Sequence, residues 1–297
     1  MGNSRYDEGT YRTFTHSTTD GRSRVEIFKQ GKMHEDLDPS KFAVRECVDS
    51  PANPNSTPII LASDVTGSMG HLAEQIMRGS LGDIMKALYD REPVPDPQIL
   101  VAGVGDASVD DAPLQVSQFE ADGVVLASQL QRVWLEAGGG GNPGESYPLV
   151  WGFAHFKTSC AAFAKHRKGY IFTIGDEAPL ETITNWQWQK FLAVNPEQEP
   201  PTDAGALLAL VREHWNVFHL IIKPVGHQPV VSSWFSLLGE NAIEVDNAGQ
   251  LTEAVVSCIQ VAEGQDPTAH ATGDAAVVAQ RIFARLPHAA TASQDAR

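Results

Sequence analysis

Asp64-Val65-Thr66-Gly67-Ser68 sets a carboxylate and two hydroxyls at alternate positions, directly after the apolar run Pro58-Ile59-Ile60-Leu61-Ala62-Ser63. Oxygen donors spaced this way on a glycine-punctuated turn suit a hard divalent cation, Mg²⁺ above all, with Mn²⁺ or Ca²⁺ as alternatives. The same residues also fit a plain turn whose hydroxyl caps the following helix. Asp176 closes a second apolar run, Ile171-Phe172-Thr173-Ile174-Gly175, and Asp106 follows a third over 98–105. A glycine-rich loop over 137–144 leads to Glu145 and Ser146 and contains Asn142. These three carry a carboxylate, a hydroxyl and an amide oxygen, any of which can join a cation or stand behind its ligands. Asp106 serves equally as the cap of the turn that follows it.

Those side chains need elements to position them. From residue 58 onward, short buried apolar runs alternate with amphipathic stretches. The pattern predicts strands over 59–63, 98–105, 169–175, 218–224 and 242–245, and an edge strand of period two over 114–119. Helices are predicted over 71–90, 123–136, 145–165, 182–194, 202–215, 230–238 and 251–262. Strands alternating with helices imply an α/β fold: a doubly wound, mostly parallel central sheet with one antiparallel edge strand and helices on both faces. Right-handed crossovers bring the carboxyl ends of the parallel strands to one edge, where ligands of such folds bind. Asp64, Asp106 and Asp176 all fall there, and the glycine loop returns to the same edge.

Residues 1–56 read as an N-terminal extension that packs on the main domain, with one strand-like run over 24–28. Residues 57–264 form the α/β domain, and 265–297 a C-terminal tail with one possible helix over 275–286. The Pro- and Asn-rich stretch over 49–58 is a linker by composition.

The 297 residues suffice for a substantial core. With a net charge of −15, the surface repels phosphate backbones, which argues against nucleic acid as a partner. No apolar run has transmembrane length, and the first ten residues are polar, so no membrane role is expected. Cys47, Cys160 and Cys258 are odd in number and far apart, and read as buried thiols of a cytoplasmic protein. Among the six tryptophans, Trp186 and Trp188 are the pair expected to face a partner.

The Asp64-Val65-Thr66-Gly67-Ser68 loop with Asp176 closing a later strand resembles the von Willebrand factor A domain and its metal-ion-dependent adhesion site. Thr66 stands where that motif has its first serine. The run over 104–116, the glycine loop and Gly175-Asp176-Glu177-Ala178-Pro179 are similar to a bacterial intracellular branch of the family. The resemblance implies that Thr66 and Ser68 coordinate the cation directly, and that Asp64 and Asp176 bind it partly through water. The family threonine after paired glycines is missing here, which leaves Asn142, Glu145 or Ser146 as its substitute.

Enzyme signatures point away from catalysis. Thr66 occupies the position where a haloacid-dehalogenase phosphatase needs its second aspartate. There is no P-loop lysine, no GxGxxG between strand and helix, and no GxSxG elbow. The expected function is therefore a divalent-cation-dependent protein–protein interaction module of a bacterial cytoplasmic complex. By the resemblance, a partner presents Asp or Glu to the cation, and an AAA-type ATPase or a kinase–phosphatase system is a candidate partner. The alternatives are a metal-dependent phosphoesterase, with Asp106, Asp110 or Glu145 as base, and a structural assembly subunit whose metal site has decayed.

Overall fold

The computed structural model describes residues 4–66, 69–136, 144–222 and 228–287. Its elements in chain order begin with α1 (Glu8–Thr19), α2 (Arg24–Ile27), β1 (Arg45–Cys47) and β2 (Thr57–Asp64). A long helix follows, made of α3 (Gly70–Gln75), a π turn (Ile76–Ser80) and α4 (Leu81–Arg91). Next come β3 (Pro97–Val104), β4 (Leu114–Val116), α5 (Gly123–Leu130), α6 (Tyr147–Phe156), β5 (Thr158–Cys160) and α7 (Ala161–Ala164). The remainder is β6 (Gly169–Gly175), α8 (Asn185–Leu192), α9 (Ala204–Val211), β7 (Trp215–Ile222), α10 (Gln228–Leu238), β8 (Ala242–Val245), α11 (Leu251–Ala262) and α12 (Asp274–Arg285).

Six strands form the main sheet in the order β4-β3-β2-β6-β7-β8. All neighbours are parallel except the edge pair β3–β4. This is the doubly wound α/β architecture, with strand order reversing between β2 and β6. Successive residues of β2 serve opposite faces: Ile59 and Leu61 enter one core, Ile60 and Ala62 the other. The first core is closed by α3, α4, α5, α11 and α12, and the second by α6, α8, α9 and α10. Burying each large aliphatic side chain contributes about 1.5–3 kcal/mol, so a strand apolar on both faces must lie inside the sheet.

Several predicted elements differ. Residues 24–28 are not a strand; α2 is a helical turn whose start is fixed by Ser23 N–H donating to Glu26 at 2.8 Å. The predicted 145–165 helix is broken: Glu145 is extended and bridges to Pro179, and β5 pairs in parallel with β1 in a separate two-stranded sheet. Long-range pairing overrides local helical pattern there. Helix α9 stops at Val211, and Trp215 already begins β7. The predicted partner-facing pair also splits. Trp188 is core, donating its indole N–H to Pro201 O at 3.0 Å, whereas Trp186 is 58% exposed.

At the N-terminal side, Tyr11 of α1 packs into the first core. At the C-terminal side, α12 buries Val278, Ala279 and Ile282. All three cysteines are free and buried, with Cys47 and Cys160 in register on β1 and β5. Among the described residues no helix is long and apolar enough to cross a membrane.

Candidate metal centre at the strand-order reversal

β2 and β6 run side by side with Ser63 opposite Ile174, so both deliver an aspartate to the same edge. Asp64 is fully buried. Its Oδ1 accepts from Thr66 N–H at 2.8 Å and from the Thr66 hydroxyl at 2.7 Å, an Asx-type turn that folds the loop back on the carboxylate. The Thr66 hydroxyl also reaches Glu145 Oε1 at 3.3 Å. One hydroxyl proton thus serves two carboxylates.

Glu145 is held by backbone. Its N–H donates to Ala178 O at 2.9 Å, and its carbonyl accepts from Leu180 N–H at 3.0 Å. Glu145, two residues before α6, is thereby stitched to the segment after Asp176. Ser146 N–H donates to Gly105 O at 3.1 Å, while its hydroxyl accepts from Ala107 N–H at 2.8 Å. That hydroxyl is already committed to holding the Asp106 turn. Asp106 Oδ1 accepts from Ser108 N–H at 2.8 Å, and Asp106 N–H donates to Asp110 Oδ2 at 2.7 Å. A Cβ at Gly105 would lie 2.5 Å from that same Asp110 oxygen and would have to displace it. Gly175 is required, because a Cβ would meet the buried Tyr147 hydroxyl and come within 3.1 Å of Asp64 Cβ.

The structure brings together Asp64, Thr66, Glu145, Ser146 and Asp106, with half-buried Asp176 directly after β6. Ser68 and Asn142 lie outside the described residues. Among the described atoms, Asp64 Oδ2, Asp106 Oδ2 and Glu145 Oε2 are buried with no hydrogen-bond partner. Burial pushes the Asp64 carboxyl up to about 7, against the Thr66 hydrogen bonds and helped by the charges of Asp176 and Glu177. Burial likewise raises Glu145 to about 9, reinforced by Asp64, Asp110 and Asp106. Carboxylates packed together without a counter-charge resist ionising.

Beneath them lies an aromatic layer that spacing in the sequence does not signal, since its members are far apart in the chain. His219 stacks on Trp234 with ring centroids 3.5 Å apart, and Tyr147 meets both rings edge-on. His219 Nδ1 bonds the Thr173 hydroxyl at 2.8 Å, and burial drives its ionisation far below the usual range, so the ring is neutral. The Tyr147 hydroxyl, raised by burial and then by Asp64, has no partner among the described residues.

No family model matches the chain, and no curated protein matches it. Solved structures do. It is similar to the pilus adhesin SpaC from Lactobacillus rhamnosus GG, at 10% identity and a TM-score of 0.45, over 71% of this chain and 31% of the adhesin. It is similar to a von Willebrand factor type A protein from Catenulispora acidiphila, at 12% identity and TM-score 0.41, over 71% of this chain and 43% of that one. A third is the conserved hypothetical protein BatB from Bacteroides thetaiotaomicron, at 13% identity and TM-score 0.39, covering 67% of this chain and 95% of BatB. The chain thus spans about a third of the adhesin's length.

Among the described residues the donor chemistry fits a hard divalent cation: buried carboxylate oxygens without partners, a hydroxyl between two of the carboxylates, and no lysine or arginine bonded to Asp64 or Glu145. Among the described residues, no three His, Cys, Asp or Glu side chains close on one point as a metal cage.

Proposed function

We propose that this chain is a divalent-cation-dependent protein-interaction module rather than an enzyme. The observation that supports it is the buried acidic cluster at the strand-order reversal, with Asp64 Oδ2 and Glu145 Oε2 left without partners among the described residues. Asp64, Thr66, Ser68 and Asp176 would hold the cation, and Glu145 takes the place of the family threonine. A bound Mg²⁺ or Mn²⁺ supplies the positive charge these carboxylates lack and an anchor for a partner's oxygen.

The chain's own residues do the rest. The Thr66 backbone N–H and hydroxyl fix the orientation of Asp64, and the Glu145–Ala178 and Leu180–Glu145 backbone bonds fix Glu145 against the Asp176 segment. Capture of a partner's Asp or Glu is the recognition implied by the resemblance. Glu145 tempers it, because every carboxylate already present adds repulsion toward another. Of the candidate bases of the catalytic alternative, Asp110 accepts the Asp106 N–H at 2.7 Å.

The test is calorimetric titration of Mn²⁺ and Mg²⁺ into the full chain, with Asp64→Ala and Glu145→Gln alongside. Saturable binding that is lost in Asp64→Ala and weakened in Glu145→Gln is expected. Equal heats for wild type and Asp64→Ala would sink the assignment.

A further inference from the structure

Next to the acidic edge, the segment after Asp176 and helix α10 form the walls of an open groove of about 1180 Å³. Its apolar lining includes Leu180, Val230 and Leu237, and its charged residues are Glu177, Glu181 and Asp203. No Lys, Arg or His is among its described lining residues. The walls are fastened to each other, since Trp234 of α10 donates its indole N–H to Glu177 O at 3.0 Å. Asp203 is half committed, accepting from Ala206 N–H at 2.8 Å as the cap of α9, while Glu181 is exposed.

We propose that this groove docks a short segment of a partner protein that carries Lys or Arg beside an apolar anchor side chain. The volume exceeds the roughly 300–1,000 Å³ of a small-molecule pocket and suits a stretch of peptide. The apolar lining rewards burial of an aliphatic or aromatic side chain, and carboxylates of a single sign select a cation next to it. Among the described lining residues, an acidic segment meets carboxylates and no cationic side chain. The groove shares the segment after Asp176 with the cation site, but its docking contacts use other side chains, so docking is expected to persist in chelator; failure of either reading leaves the other measurable.

The experiment is fluorescence anisotropy with the full chain, at about 0.15 M salt to screen bulk attraction. The probe is a labelled octapeptide, Gly-Lys-Leu-Gly-Arg-Leu-Gly-Lys, with one counterpart carrying Glu at its cationic positions and another carrying Ser for Leu. The cationic apolar peptide should bind, in EDTA as in Mg²⁺, with both counterparts about tenfold weaker or worse. Glu181→Lys and Ser236→Arg, both at exposed positions, should each weaken it about tenfold. Glu46→Lys, exposed on the separate two-stranded sheet, should leave it unchanged. The proposal is overturned by no saturation up to about 1 mM, by equal binding of either counterpart, or by an equal loss in Glu46→Lys, which would reduce the effect to the net charge of −15.

Discussion

Asp64 and Glu145 face each other through one threonine hydroxyl, and this sets how the protein must respond to pH. Both carboxyls titrate above their ordinary values, Asp64 moving from 3.8 to about 7 and Glu145 from 4.5 to about 9. In the unfolded chain they ionise near 4, whereas in the fold they keep their protons to higher pH. Their contribution is therefore neutral in acid and becomes unfavourable as pH rises from about 4 to about 9, on the order of 4 kcal/mol for Asp64 alone. Thermal melts of chelated protein should fall over that window, and Asp64→Asn should flatten the fall. Adding Mn²⁺ should raise the melting temperature more at high pH, because the cation competes with protons. A chelated wild type with the same pH profile as Asp64→Asn would contradict this account. Asp64, Thr66 and Asp106 were legible because each ends or follows an apolar run. The neutral His219 and the Tyr147 hydroxyl were not, since only the sheet register and α6 bring them beneath that cluster.

Helix α12 shows how an element's role depends on what it packs against. The stretch after 264, rich in Ala, Thr, Asp and Gln, reads as a tail with one helix over 275–286; α12 forms there, and its Val278 and Ile282 enter the same core as α4 and α11. Arg285 adds hydrogen bonds from its guanidinium to the carbonyls of Glu240 and Gly239. Ile282→Ala should cost about 2–4 kcal/mol in chemical denaturation. A cost under about 0.5 kcal/mol would mark α12 as a dispensable surface helix. β2, β3 and β6 were readable because a strand buried on both faces must be apolar throughout. β1 and β5 were not: three residues each carry no period, and their pairing joins segments more than a hundred residues apart.

Across the whole molecule, the core encloses Cys47, Cys160 and Cys258, of which Cys160 is the most exposed at 7%. Burial pushes the Cys47 and Cys258 thiols upward. A water-soluble disulfide reagent should leave all three untouched in the native protein and titrate all three after unfolding. Rapid reaction of any thiol before unfolding would show that this packing opens. The alternation of apolar runs and amphipathic stretches determined, without coordinates, a doubly wound sheet with aspartates at one edge. It could do so because burial on two faces and right-handed crossovers leave few topologies. Only the tertiary structure decided which oxygens share a proton, which are stranded without a partner, and which Trp is core. It alone joined the Asp176 segment to α10 as a groove. Those outcomes depend on distances of a few ångströms between residues remote in the chain, and local sequence pattern carries no information at that range.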